Sequence, residues 1–114
     1  MRVSKETAVL LKDARYDVAC RHVYTQRNRL IILNYEESNF DGTENIVAPT
    51  LHEASDWLRS KGVHVGVECS DGIWACSGQK CPDGGMLFDL PFCYPTHESA
   101  YEAGIVHGLK YIIH

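Results

Sequence analysis

No apolar run in this 114-residue sequence approaches the ~20 residues that a membrane-crossing helix needs. The opening Met-Arg-Val-Ser-Lys-Glu has no apolar stretch behind its charges, so it does not read as a secretory signal. Lipidation and retention motifs are missing as well. The expectation is a soluble, cytoplasmic chain forming one domain over residues 1–114. The five cysteines, Cys20, Cys69, Cys76, Cys81 and Cys93, are odd in number, which argues against a disulfide framework. Catalytic signatures are also lacking. There is no phosphate loop, nucleophile elbow, HExxH or deaminase motif, and Cys81-Pro82 reverses the Pro-Cys order that a deaminase needs.

Net charge is only −4, too mild for an acidic tail or a wholly basic nucleic-acid binder. Its distribution is uneven. Residues 1–30 carry seven Lys/Arg against three Asp/Glu, and residues 31–114 carry four against twelve. Such asymmetry suits a basic patch facing an acidic one, within the fold or in a sister subunit.

What is present reads as alternating helices and hairpins. Ser4 can cap a helix over 5–15, with Thr7, Leu10, Leu11 and Ala14 on one face. Residues 16–24 and 29–35 form an antiparallel hairpin, and Leu30-Ile31-Ile32-Leu33 reads as a strand buried on both faces. Residues 36–48 are an acidic surface loop, with a short extended piece at Ile46-Val47. Thr50 and Glu53 have the spacing of a capping box, and Leu51, Ala54, Trp57 and Leu58 form an apolar stripe that ends before Gly62.

Val63, Val65, Val67 and Cys69 then alternate with polar residues up to Asp71-Gly72, the pair a type I′ turn prefers. That turn sets Cys69 opposite Trp74 and Val67 opposite Cys76. Residues 77–85 form a loop, and 86–94 extend or add a strand. Pro95-Thr96 opens a last helix running through Lys110. The expected fold is α+β, a two-layer sandwich in the order α-β-β-α-β-β-α. It has one antiparallel sheet of about four strands with helices on one face.

Four constellations carry chemical possibilities. Cys76, Cys81, Cys93 and His97 are soft or borderline ligands whose spacing admits a tetrahedral zinc site; Cys93 and His97 alone admit a thiolate–imidazole pair. His52-Glu53 and His97-Glu98 begin two helices, and would meet if those helices pack side by side. Arg21, Arg27 and Arg29 make the first hairpin basic, a pattern that can contact phosphates. Ala100, Gly104 and Gly108 fall four apart on the last helix. Glycine costs a helix roughly 1 kcal/mol against alanine, so the stripe implies close approach of the chain's own sheet or of a second subunit.

The residues Pro49-Thr50-Leu51-His52-Glu53-Ala54-Ser55-Asp56-Trp57-Leu58-Arg59, then Gly62-Val63-His64-Val65-Gly66-Val67, Trp74, and Ser99-Ala100-Tyr101-Glu102-Ala103-Gly104-Ile105 carry a resemblance. Residues 49–112 resemble a family of small uncharacterised proteins of gut bacteria and their phages or mobile elements. The resemblance implies no activity, and the cysteine-bearing loop lies outside it. The function expected from the sequence is a small non-enzymatic interaction or adaptor protein, working as a homodimer or with a protein partner. The alternatives are nucleic-acid binding through the first hairpin and a zinc-stabilised module.

Overall fold

The computed structural model describes residues 1–113. Its elements are α1 (Lys5–Asp13), β1 (Cys20–Tyr24), β2 (Leu30–Glu37), β3 (Ile46–Val47), α2 (Leu51–Ser60), β4 (Val63–Ser70), β5 (Ile73–Lys80), β6 (Met86–Tyr94) and α3 (His97–Ile113). The class is α+β, as the alternation of patterns implies. The single four-stranded sheet is corrected to two three-stranded antiparallel sheets, β2-β1-β3 and β4-β5-β6.

Two short segments make the difference. Ile46-Val47 pairs with Tyr24 and Val23, so β1 becomes a central strand. Met86–Tyr94 pairs along β5 despite Pro91, because register shifts in β6 absorb the irregularity. The order is therefore α-β-β-β-α-β-β-β-α.

The second hairpin forms in the expected register. Asp71 and Gly72 take φ of 53° and 79°, the two left-handed positions of the turn. Cys69 then pairs with Trp74 and Val67 with Cys76. Each of the first two helices begins at its expected cap. Ser4 accepts from the Thr7 N–H, and Thr50 and Glu53 form the reciprocal box.

Helices α2 and α3 pack on the Val63, Val65 and Cys76 face of the second sheet, and α1 packs against α3 and β3. One apolar cluster joins Leu11, Tyr16, Val23, Val47, Leu58, Val63, Ile105 and Leu109, drawing on all three helices and both sheets. Tyr16 meets Trp57 edge-on at 5.2 Å between ring centres, and the Trp57 indole N–H donates to Asp17 at 3.2 Å. No helix among the described residues is long and apolar enough to cross a membrane.

Candidate functional site

The first hairpin turns at Thr25–Arg29. The Thr25 N–H donates to the Arg29 carbonyl at 2.9 Å, Asn28 sits at φ 61°, and Lys5 Nζ holds the Asn28 side chain at 2.7 Å. From this turn β1 and β2 pair as Tyr24 with Leu30, Val23 with Ile31 and His22 with Ile32. The next pair is Cys20 with Glu37, so Leu33–Glu36 bulge out opposite Arg21, whose Nε donates to the Leu33 carbonyl at 3.3 Å. Glu37 ties the far end down. It is buried and accepts from Thr43 and Asn45.

Between these anchors β2 is bare. The expected burial of Leu30–Leu33 on both faces is corrected: Leu30 is 46%, Ile31 37%, Ile32 69% and Tyr35 57% exposed. Among the described residues, β1 is the element against which β2 packs extensively. β1, placed between β2 and β3, buries Val23 from its own position and leaves β2 as an outer strand. Sequence reasoning missed this surface because an aliphatic run has the same composition whether a sheet covers it or not.

The basic residues of the hairpin do not form one patch. Arg27 and Arg29 lie at the turn, whereas Arg21 lies four residues back along β1, about 13 Å away at strand rise. Acidic groups are interleaved with them. Glu44 accepts from Gln26 beside the turn. Glu36 shares with Arg21 a cleft of about 290 Å³, also lined by Arg2, Cys20, His22 and Glu53.

In that cleft burial pushes the Cys20 thiol up to about 11. Burial, with Arg2 second, holds His22 below its usual value. Both groups are thus neutral at pH 7, which supplies neither a thiolate nucleophile nor an imidazolium.

The structure places the four expected zinc ligands as follows. Cys76 is buried against α3, its Sγ 3.5 Å from where a Cβ on Gly104 would stand. Cys81 follows the far end of β5, five residues and roughly 16 Å along the strand direction. There its N–H donates to the Gly62 carbonyl. Cys93 lies on β6 near the opposite end, beside the Trp74–Tyr94 pair. His97 stacks edge-on against Trp74 at 5.1 Å and Tyr101 at 5.5 Å. Among the described residues no three His, Cys, Asp or Glu side chains are grouped to hold a metal ion.

The two His-Glu helix starts do meet. His52, His97, Glu98 and Tyr101 line a shallow hollow of about 180 Å³ beside Met1. Glu53 is turned away from it, accepting from the Thr50 N–H at 2.9 Å and lying 3.9 Å from Arg2. His52 points to Asp56 at 3.7 Å.

The Ala100, Gly104 and Gly108 stripe resolves to the chain's own core. A Cβ on Gly104 would meet Val65 and Cys76, and one on Gly108 would meet Leu58 and Val63 at 3.2 Å. All three residues are buried, so the stripe is filled from within the chain and offers no surface to a second subunit. No family model, curated protein or solved structure matches the chain.

Proposed function

We propose that this chain is a small non-enzymatic interaction protein whose docking surface is β2. The observation that carries the reading is the exposure of three consecutive aliphatic residues, Leu30, Ile31 and Ile32, on an outer strand. Folded proteins blunt such strands with proline, charge, bulges or cover, because a free edge invites pairing with another chain. The second sheet follows that practice. Its edge strand β6 carries Pro91, Asp89 and register shifts, and its edge strand β4 carries His64, Gly66 and Glu68. The Leu30–Ile32 stretch carries none of these, and the β2 bulge begins only after it.

Nucleic-acid binding through Arg21, Arg27 and Arg29 ranks second. A phosphate-tracking surface needs uninterrupted positive charge, and Glu36 and Glu44 break this one. A photoreactive amino acid at position 32, expressed in the native host, tests the reading. A covalent adduct with a polypeptide is expected, with none from the same group at Ser77 on the second sheet. Adducts with nucleic acid, or no adduct at all, overturn it.

A further inference from the structure

We infer that the partner docks on β2 as an extended strand: a polypeptide segment that pairs antiparallel with Leu30–Ile32, apolar where it pairs and acidic at its C-terminal end. This rests on β2 being a docking surface.

The Thr25 N–H donates to the Arg29 carbonyl, so these two residues turn towards each other and the ladder alternates from there. Tyr24 with Leu30 and His22 with Ile32 are then the pairs whose N–H and C=O groups turn away from one another. The far side of β1 agrees, because the His22 carbonyl accepts from the Ala48 N–H at 2.9 Å. Leu30 and Ile32 therefore aim their N–H and C=O groups along the outer edge of the sheet, which no strand among the described residues joins. Backbone donors and acceptors at that spacing are matched by the backbone of another extended chain.

The regular edge is short. Leu33–Glu36 bulge out, and Arg21 Nε donates to the Leu33 carbonyl. In an antiparallel pair, residues directly opposite exchange both bonds. Three consecutive partner residues, set opposite Ile32, Ile31 and Leu30, thus satisfy every outward group. A parallel strand has slanted bonds and would have to reach opposite Leu33, where β2 leaves the ladder. Side chains opposite Ile32 and Leu30 lie beside them on one face, and the side chain opposite Ile31 lies on the other. All three meet exposed aliphatic residues, which selects apolar or β-branched partners.

The partner's next residue stands opposite Arg29, with Arg27 beyond it in the turn. Among the described residues neither guanidinium enters a salt bridge or side-chain hydrogen bond within the chain. Both line a hollow of about 450 Å³ at the turn. The carboxylate on that side, Glu44, lies beyond β1 just ahead of β3 and is engaged by Gln26. Carboxylates at the C-terminal end of the docked strand complement the two free arginines.

The capped peptide acetyl-Thr-Val-Thr-Val-Glu-Glu-amide is the probe, its second and fourth residues meant for Ile32 and Leu30. Titrated into the purified isotope-labelled chain at low salt, it should bind with a dissociation constant below ~1 mM and shift the Leu30 and Ile32 amide resonances most. N-methylation of its second or fourth residue removes an N–H that reaches β2 and should weaken binding at least tenfold. N-methylation of the third, whose N–H faces away, should change it less than twofold. The peptide of reversed order should bind at least tenfold more weakly. Arg27→Glu with Arg29→Glu should weaken the original peptide at least tenfold and bind its Lys-Lys counterpart instead, an exchange that a folding defect cannot produce.

No binding by ~1 mM, methylation effects that do not alternate, or charge reversal without effect overturns the inference. So does a covalent dimer from a photoreactive group at position 32 of the purified chain, which makes the occupant a second copy. Where the peptides fail but the same group captures a polypeptide in the native host, β2 remains a docking surface and the acidic strand is excluded. Where it captures none, both readings fall.

Discussion

A Cβ placed on Gly104 would stand 2.5 Å from Val65 Cγ1 and 3.3 Å from Cys76 Cβ. Helix α3 lies this close to the second sheet only because position 104 has no side chain. Gly104→Ala gains about 1 kcal/mol of helix propensity and incurs an overpacking cost of about 1–3 kcal/mol. A net loss of stability is expected, read as a lower urea midpoint at unchanged slope. Gly108→Ala meets Leu58 and Val63 at the milder 3.2 Å, and should be close to neutral. Val65→Ala should couple favourably to Gly104→Ala in a double-mutant cycle, because it removes the methyl that clashes. Additive effects, or Gly104→Ala as the more stable protein, would contradict the packing described.

The hairpin offers a second contrast. Val23 is fully buried on β1 while Ile32, opposite the adjacent residue His22, is 69% exposed. Ile32→Lys in the monomeric chain should change stability by no more than about 0.5 kcal/mol. Val23→Ala removes buried methyl groups and should cost on the order of 1–3 kcal/mol. A large loss for Ile32→Lys in the monomer would mean that β2 belongs to the core.

Local chemistry in the sequence carried much of the fold. Thr50 with Glu53, Ser4, and Asp71-Gly72 act on their own neighbours, so their outcome does not depend on distant residues. The stripe of Ala100, Gly104 and Gly108 correctly implied close approach, but spacing alone did not decide between the chain's own sheet and a second chain. Partition into two sheets was not legible. It depends on Val23 pairing with Val47, 24 residues away, and two-residue strands leave almost no pattern to read. The spacing of the expected zinc ligands has a related limit. Cys76 and Cys81 are close in sequence, yet an extended strand carries them apart at about 3.3 Å per residue. The exposure of Leu30–Ile32 was illegible because burial is decided by which strand takes the centre of the sheet.

Burial pushes both Cys20 and Cys76 up to about 11, above the ordinary thiol value of about 8.5. Desolvation is the leading cause in each. Tyr16 is raised for the same reason. The unfolded chain therefore releases these protons first. Stability from the neutral thiols is full below about pH 8.5 and declines as pH rises towards 11. Urea midpoints should fall across that window, and Cys20→Ala or Cys76→Ala should flatten the decline. Alkylation of the native protein should label exposed Cys69 and Cys93 first and spare Cys20 and Cys76 until unfolding. Equal labelling of all five would overturn the assignment of burial.

At the acid end the governing group is Glu53. Its carboxylate accepts the Thr50 N–H at 2.9 Å, and this bond is the leading cause that holds its pKa below the usual carboxylate value. Arg2, 3.9 Å away, acts in the same direction. A depressed folded pKa means that the ionised form is favoured by folding, so its contribution is present above the unfolded value of about 4.3 and is lost as pH falls through the folded value. The carboxylate is half exposed, so solvent screening keeps this contribution small. Thr50→Ala removes the reciprocal half of the capping box and should cost about 0.5–2 kcal/mol at pH 7. Glu53→Gln keeps an acceptor but not the charge. It should lower stability at pH 7 and leave a shallower loss between about pH 5 and 3 than the native chain shows. Parallel acid limbs for the two proteins would mean that Glu53 ionises alike in the folded and unfolded chains, and that the Thr50 N–H does not discriminate between its two forms.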